Sequence, residues 1–159
     1  IEKGGGHKMA AGLSLSRAQL EPAMARLSEL MAKQGAGDAG PADLRLDGML
    51  MPGAAQIELI EQLEKAGPFG AGAPAPRFAF PDVELKFTKR VSETHLKISF
   101  GDGLGARIDA ICFGAMDTPL GPALEKHGGK RFHLAGRLEV NSWGGRQNPQ
   151  LRLEDAAPA

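Results

Sequence analysis

The sequence predicts an α+β protein in which a helical segment precedes a five-stranded β-barrel. Apolar residues recur at helical spacing before residue 66, whereas after residue 77 they alternate with polar residues as in half-buried strands. Residues 67–76 lie between the two patterns and contain three prolines and three glycines, a composition typical of an irregular connector. We therefore expect a domain boundary there.

Two helices are predicted in the first segment. The first covers residues 17–33, and Ser16 with Gln19 would form a capping box at its start. Its apolar face consists of Leu20, Met24, Leu27, Leu30 and Met31. After a short strand near residues 44–49, a second helix is expected at roughly residues 54–65, with an apolar face of Ile57, Ile60 and Leu63.

Five strands and a short helix are predicted after the connector. The first two strands alternate around Leu85 and Ile98, the third covers residues 106–113, and the short helix covers residues 119–127. The last two strands form a hairpin, and Gly136 within the fourth suits a bend or a bulge. This element order is that of an OB-fold. Phe87, Phe100 and Phe132 are in phase with apolar neighbours, so we expect them in the core.

Composition places few limits on the partner. The chain has 19 basic and 19 acidic residues, so its formal net charge is zero. Residues 1–76 carry seven Lys/Arg and nine Asp/Glu, and residues 77–159 carry twelve and ten, which permits nucleic-acid binding in the second part without requiring it. A single cysteine, Cys112, excludes an intrachain disulfide and a cysteine metal site, and we expect it to be buried.

The sequence contains no apolar run of the ~18 residues that a membrane helix needs, and no signal peptide pattern. We therefore expect a cytoplasmic protein with no membrane partner. Because the chain begins with Ile1 inside what resembles a motif, we interpret it as part of a longer protein.

Three glycines and a histidine at residues 4–7 are followed by Ala-Ala-Gly at residues 10–12. If a helix begins near His7, the glycine N–H groups and the helix dipole would form an anion site, and the imidazole would donate to a phosphate oxygen. The alternative is a glycine turn whose histidine is simply exposed to solvent.

This string resembles the motif of the DHHA1 domain, the substrate-binding partner of DHH phosphoesterases. The resemblance implies that Gly5, Gly6 and His7 contact substrate phosphate and the nucleotide near the active centre. Residues 67–76 are similar to the connector of RecJ-type exonucleases, in which an OB-fold follows. The implied domains are residues 1–66 as the C-terminal part of DHHA1, residues 67–76 as connector and residues 77–159 as a nucleic-acid-binding OB-fold.

The RecJ resemblance implies a parent enzyme that degrades single-stranded DNA from 5′ to 3′ into nucleoside monophosphates, in DNA repair and recombination. Such an enzyme uses manganese or magnesium held by an Asp-His-His triplet and further Asp and His residues. No Asp-His-His triplet occurs in this sequence. We therefore expect this fragment to contain no catalytic residue, to bind no cofactor and to be inactive alone, with the metal centre upstream. Expected partners are single-stranded DNA and other DNA-repair proteins.

Candidate nucleic-acid-binding residues are an aromatic residue and several cations. Trp143 lies in a polar, glycine-rich turn between the last two strands, where it would stack on a base or, alternatively, fold back over the barrel end. Arg146 follows it in the same turn. Further candidates are cations that we expect to point outward: Lys86, Lys89, Arg90 and Arg137. Each of them is alternatively part of a solvated outer surface.

Two other functions fit the same sequence. The barrel would serve as a protein-interaction module of the same enzyme, which the neutral net charge slightly favours. Alternatively, the chain would belong to a different DHH-type phosphoesterase that acts on small nucleotides. The barrel counts against the second alternative, because a small substrate does not need an extended binding groove.

Overall fold

The computed structural model describes residues 3–7, 10–33 and 43–159, which form two compact units, Ile1–Leu44 and Arg45–Ala159. The first unit contains an antiparallel hairpin of β1 (Lys3–His7) and β2 (Ala10–Ser14). A 3-10 turn at Arg17–Gln19 leads into α1 (Leu20–Lys33). The predicted first helix is therefore confirmed, although its apolar face is 39–52% exposed and α1 contains no buried residue.

Two local expectations for this unit are wrong. No helix begins at His7, because Lys3–His7 is a strand paired with Ala10–Ser14. Close pairing requires a glycine at residue 6, where a Cβ atom would lie 2.5 Å from Cβ of Ala11. The expected capping box does not form either: the side chain of Ser16 makes no capping hydrogen bond, and only its carbonyl accepts, from the backbone N–H of Gln19 at 2.9 Å.

The second unit begins with two small elements and one helix. These are β3 (Gly48–Met49), a 3-10 turn (Pro52–Ala54) and α2 (Ile57–Glu64). The predicted strand and second helix both exist, and each is shorter than expected. Residues 67–76 contain no helix or strand beyond an isolated bridge between Gly70 and Ala73.

The remaining elements follow the predicted order of three strands, a short helix and a hairpin. They are β4 (Phe78–Arg90), β5 (Leu96–Gly101), β6 (Arg107–Cys112), a 3-10 turn (Ala115–Asp117), α3 (Leu120–Glu125), β7 (Arg131–Trp143) and β8 (Arg146–Pro158). The sheet order is β3-β4-β5-β6-β8-β7, and β7 also pairs with β4. This pairing closes β4 to β8 into a five-stranded barrel, which confirms the predicted OB-fold.

The packing groups residues 45–66 with the barrel, whereas the sequence pattern grouped them with the preceding domain. Arg77, directly before β4, connects residues 45–47 to the barrel. Its backbone N–H donates to Oδ2 of Asp47 at 2.9 Å, and its guanidinium donates to the carbonyl of Arg45 at 2.8 Å. The same guanidinium pairs with Glu154 of β8 at 2.5 Å. Because β3 also pairs with β4, residues 45–49 are held against the barrel by backbone and side-chain hydrogen bonds.

The barrel interior is a continuous apolar core. Phe80 and Phe100 meet edge to face with ring centroids 5.3 Å apart, and Leu124 of α3 is fully buried in the same cluster. Burial of each large apolar side chain stabilises the fold by roughly 1.5–3 kcal/mol. Cys112 is buried as expected, and this burial raises the pKa of its thiol. Phe100 and Phe132 also lie in the core, as predicted.

Phe87 does not lie in the core, and the expectation for this residue is wrong. Leu85 pairs with Phe100, but Phe87 pairs with Ser99, so Lys86 is an extra residue in β4. Such a bulge reverses the side of the sheet on which the following residues lie. The ring of Phe87 is consequently 46% exposed on the outside of the barrel.

Gly136 lies at a register shift between β7 and β8, which confirms the predicted bulge. A Cβ atom at this position would overlap the carbonyl oxygen of Arg152 on the neighbouring strand. The backbone of two paired strands cannot move aside as a flexible side chain would. The close approach of β7 to β8 at this position therefore requires glycine.

We expect Gly136→Ala to destabilise the protein by about 1–3 kcal/mol, the usual cost of overpacking a rigid interior. The measurement is urea unfolding of the chain and of the variant. Gly70→Ala is the matched control, because no atom lies within 4 Å of the added Cβ there. Equal stability of the two variants would contradict the steric explanation.

Candidate nucleic-acid interface

Strands β5, β6 and β8 present an outer face on which the register places three residues abreast. Because alternate residues of a strand point to the same side, the rows follow from the pairing of β6 with both neighbours. Two successive rows are Lys97, Ile111 and Arg152, then Ser99, Asp109 and Gln150. We call this surface the β5–β6–β8 face.

A cavity of about 480 Å³ opens at one end of the β5–β6–β8 face. Its lining combines cations, amides and one large aromatic ring. The lining residues are Lys97, Arg107, Ile108, Asp109, Asn141, Trp143, Arg146, Asn148, Pro149 and Gln150. The predicted pair Trp143 and Arg146 therefore lies in one site, together with Lys97 and Arg107 from the neighbouring strands.

The turn between β7 and β8 exposes Trp143. Trp143 and Arg146 are paired, so the loop contains only Gly144 and Gly145, with φ of 59° and 76°. Two successive residues with positive φ are typical of the tight hairpin turn whose twist matches that of its strands. Trp143 is 84% exposed at the end of this hairpin. The alternative in which the indole folds back over the barrel end is therefore excluded.

The cations of the cavity differ in how firmly they are held. Arg107 donates from Nε to Oγ of Ser99 at 2.5 Å, which fixes the guanidinium across the face. Lys97 Nζ lies 2.9 Å from Oδ2 of Asp109, but both side chains are well exposed, and such pairs contribute only about 0–1 kcal/mol. Among the described residues, no carboxylate pairs with Arg146. An incoming anion can thus reach all three cations.

The two predicted lysines of β4 lie beside this face. Lys86 pairs with Glu84 at 2.5 Å and, together with Arg107, lines a smaller cavity of about 270 Å³. Lys89 is exposed and is paired in register with Lys97 on β5. The structure therefore adds Lys89 to the row that contains Lys97.

The other two predicted cations are held by carboxylates outside the cavity. Arg90 donates to both carboxylate oxygens of Glu125 on α3, at 2.7 and 2.6 Å. Arg137 pairs with Glu154 at 2.6 Å and donates to the carbonyl of Ala75 at 3.0 Å. Neither residue lines the cavity around Trp143, and each joins two separate elements of the barrel unit.

Sequence reasoning missed three amides of the cavity: Asn141, Asn148 and Gln150. The signal was available, because Asn148 and Gln150 alternate with the buried residue Leu151 and its apolar neighbours along β8. Amide side chains both donate and accept hydrogen bonds, so they can meet the edges of any base. The exposure of Phe87 was missed for another reason. The bulge at Lys86 that exposes it cannot be detected in the alternation of apolar and polar residues.

The glycine-histidine string lies on the exposed hairpin of the first unit. Gly5, Gly6 and His7 all belong to β1, and all three are exposed. Their predicted role in substrate binding stays a prediction. Within residues 3–7, 10–33 and 43–159, no group of three or more His, Cys, Asp or Glu side chains is placed to hold a metal ion. The described residues thus do not fit the metal centre that the resemblance implies.

The helices of the described part offer no candidate for a membrane span, as none combines sufficient length with sufficient apolar character.

The closed barrel, its short helix between the third and fourth barrel strands, and its polar face beside a hairpin turn define an OB-fold. The chain belongs to the RecJ OB-domain family: the family model described as "RecJ OB domain" matches residues 46–155. This match begins at the start of the second compact unit, Arg45–Ala159.

Curated relatives extend the similarity over almost the whole chain. The single-stranded-DNA-specific exonuclease RecJ of Escherichia coli (strain K12) is 32% identical over 157 residues, which are 98% of this chain and 26% of that protein. The protein of the same name from Bacillus subtilis (strain 168) is 25% identical over 157 residues, or 96% of this chain and 19% of that protein. The chain thus spans about a quarter or less of the length of these relatives.

Solved structures show the same fold. RecJ from Thermus thermophilus in complex with Mn2+ matches 98% of this chain and 22% of its own, with a TM-score of 0.60 and 24% identity. The complex with Mg2+ matches 97% of this chain and 22% of its own, with a TM-score of 0.57 and 23% identity.

The pair of Arg90 and Glu125 predicts a dependence of stability on pH. Hydrogen bonding to Arg90 holds the pKa of Glu125 below its ordinary value of 4.5. A depressed pKa stabilises the fold above the ordinary value, and this contribution is lost as pH falls through the lower, folded value. We expect Arg90→Ala to lower the free energy of unfolding at neutral pH, and the difference from the unmodified chain to shrink towards about pH 3.

Urea unfolding at several pH values measures this difference. Lys89→Ala is the control, because Lys89 is an exposed cation without an ion-pair partner among the described residues. Its effect should not change over the same range. A difference for Arg90→Ala that stays constant from neutral to acid pH would contradict the ion pair.

Proposed function

We propose that the β5–β6–β8 face binds single-stranded DNA, as the substrate-binding part of a longer single-stranded-DNA-specific exonuclease that works from 5′ to 3′ in DNA repair and recombination. The observation that carries this proposal is the 84% exposure of Trp143 in a cavity with Lys97, Arg107 and Arg146. The names of the relatives support the same substrate class.

The cavity offers each group of a nucleotide a chemical partner. A base stacks on the exposed indole of Trp143, an interaction worth about 1–3 kcal/mol that accepts any base. The phosphates on either side meet Arg146 and Arg107, whose guanidinium groups donate in a fork that matches phosphate oxygens. Lys97 can exchange its weak pairing with Asp109 for a phosphate.

The geometry favours a single strand over a duplex. In a duplex, the bases are stacked on one another and their faces are not available to an aromatic side chain. An unpaired strand can turn a base onto Trp143 while its backbone follows the polar row of β8. The cavity would therefore select for unpaired DNA through stacking rather than through sequence.

The first unit would also contribute to substrate binding in the longer enzyme. We assign the first unit, which ends at Leu44, to the C-terminal part of a DHHA1 domain, because residues 45–66 pack with the barrel and the RecJ OB-domain match begins at residue 46. Gly5, Gly6 and His7 would contact phosphate there. Manganese or magnesium would be held by residues of the longer enzyme outside this chain, in keeping with the metals named for the Thermus structures. The chain would then contribute to substrate binding and would supply no catalytic group.

A protein-interaction module is the second candidate for the barrel. The neutral net charge favours it, as does the pairing of Arg90 and Arg137 with carboxylates. Other DNA-repair proteins would be the expected partners. The salt dependence of DNA binding separates the two candidates, because only phosphate contacts release condensed counterions. A phosphoesterase for small nucleotides would leave the β5–β6–β8 face without a role.

We expect the chain to bind an oligothymidylate, and Trp143→Ala to weaken binding about five-fold or more through the loss of one stacked base. Each neutralised phosphate adds about 0.7 to the salt slope, so contacts from Lys97, Arg107 and Arg146 should give a log–log slope of roughly −2. Arg146→Ala should flatten it by less than about one unit. Fluorescence anisotropy at several salt concentrations measures all three quantities.

Arg90→Ala serves as the control cation, since its partner Glu125 already occupies it, and its salt slope should equal that of the unmodified chain. Trp143 is the only tryptophan, so quenching of intrinsic fluorescence reports directly on this site. If no DNA binds at low salt, or if Trp143→Ala binds as well as the unmodified chain, the stacking site is wrong and the protein-interaction module is favoured.

We also expect the purified chain to leave labelled single-stranded DNA intact in the presence of manganese, because the described residues lack a cluster of metal ligands. The longer enzyme under the same conditions is the positive control. Nuclease activity that co-purifies with this polypeptide, and that a chelator abolishes, would show that a metal centre lies within the chain.

A further inference from the structure

A second exposed aromatic ring lies at the other end of the β5–β6–β8 face. Phe113 follows β6 directly and is 51% exposed. The guanidinium carbon of Arg152 lies 5.3 Å from the centre of its ring, and the imidazole of His95 meets it edge-on with centroids 5.0 Å apart. Phe113 is thus held in position by two polar side chains while half of its surface remains open to solvent.

The backbone also fixes this group. Nδ1 of His95 accepts a hydrogen bond from the backbone N–H of Gly114 at 3.1 Å, which ties the imidazole to the residue after Phe113. Phe113 and Arg152 line a cavity of about 300 Å³, separate from the one that contains Trp143. The ring is therefore preorganised beside an open space and does not fill the core.

The two aromatic sites lie at opposite ends of one row of outward-pointing residues. Arg146, Asn148, Gln150 and Arg152 are alternate residues of β8, and of the residues between them Leu151 is buried. The six residue-to-residue steps from Arg146 to Arg152 extend over roughly 20 Å. Trp143 pairs with Arg146 at one end of this row, and Phe113 contacts Arg152 at the other. An extended strand laid along β8 would meet both rings.

We infer that Phe113, together with Arg152, is a second base-stacking site, and that one single strand spans from Trp143 to Phe113 along β8. This inference rests on the proposed binding of single-stranded DNA and adds its path. The base at the second site stacks on the Phe113–Arg152 pair, since both a phenyl ring and a guanidinium plane accept a base. The two sites are separated by on the order of four nucleotides, the lower limit of OB-fold site sizes.

The charges along this path suit a nucleic-acid backbone. Between the two rings, the face carries Lys97 and Arg107 on one side of the row, with Arg146 and Arg152 within it. Asp109 and Glu139 are the acidic residues of the same rows, so two carboxylates stand against these four cations. The path therefore keeps a positive surplus although the whole chain is neutral.

The test maps both contacts in the chain itself. An oligothymidylate of roughly eight nucleotides, within OB-fold site sizes, carries one 5-iodouracil at successive positions and is photo-crosslinked to the protein. Mass spectrometry should locate crosslinks at Trp143 and at Phe113 from positions about four nucleotides apart. Phe113→Ala should weaken binding of this oligonucleotide about five-fold or more, and leave the maximal quenching of Trp143 at saturation unchanged.

Two further variants separate stacking from packing. Phe113→Leu keeps apolar volume but removes the ring, so it should bind as weakly as Phe113→Ala. Phe69→Ala removes an exposed ring from the connector and should bind normally. Thermal melting checks that each variant is folded.

The possible outcomes separate the second stacking site at Phe113 from the proposed binding of single-stranded DNA at Trp143. Normal quenching of Trp143 with full affinity in folded Phe113→Ala, or crosslinks at Trp143 alone, would overturn the second site and leave the first intact. Recovery of affinity in Phe113→Leu would also overturn it, since packing would then explain the loss. Absence of quenching with any oligonucleotide would overturn both.

Discussion

The barrel depends on β4, because this strand must pair with β7 along its first half and with β5 along its second. It can do so only by bending. The pairing with β7 is interrupted between Phe80 and Val83, where Asp82 adopts φ of 49°, a conformation that aspartate tolerates better than most residues. Arg131 holds this bend through hydrogen bonds to the side chain and the carbonyl of Asp82, and it keeps the pKa of that carboxyl low.

The irregularities of β4 also determine which side chains are exposed on the outer surface of the barrel. The extra residue Lys86 turns Phe87 outward, beside the row that contains Lys89 and Lys97. Without the bulge, the ring would lie in the core and Lys86 would continue the outer row. This second irregularity of β4 thus enlarges the aromatic surface next to the candidate interface. Closure and surface chemistry therefore depend on two register shifts in the same strand, one between Phe80 and Val83 and one between Leu85 and Phe87.

The sequence predicted the elements of the barrel well because each strand alternates and each alternation is a local property. Gly136 was also predictable, since a glycine within an alternating strand commonly marks a bend or a bulge. Ion pairs were not predictable. Arg90 and Glu125 are 35 residues apart, and only the packing of α3 against β4 brings them together. For this reason, Trp143 and Arg146, which share one hairpin, were placed correctly as a pair, whereas Arg90 and Arg137 lie elsewhere.

The start of the chain was harder to predict, because glycine-rich strings suit both a phosphate-binding loop and a tight hairpin. The structure contains the hairpin, and the contact between Gly6 and Ala11 gives a steric reason for at least one glycine. Propensity cannot distinguish the two cases, since both require residues without a bulky side chain. The resemblance to DHHA1 rests on the residue types alone at this point.

The parallel pairing of β6 with β8 has a consequence for how the protein is made. Residues 107–112 emerge from the ribosome long before residues 150–152, their partners in the sheet. Until β8 arrives, β6 is an open sheet edge, which is a template for pairing with other chains. Arg146 and Arg152 also lie on β8. The pairing of β8 with β6 therefore covers the open edge and at the same time adds these two cations to the outer face. A barrel synthesised only as far as β6 therefore exposes this edge until β8 pairs with it.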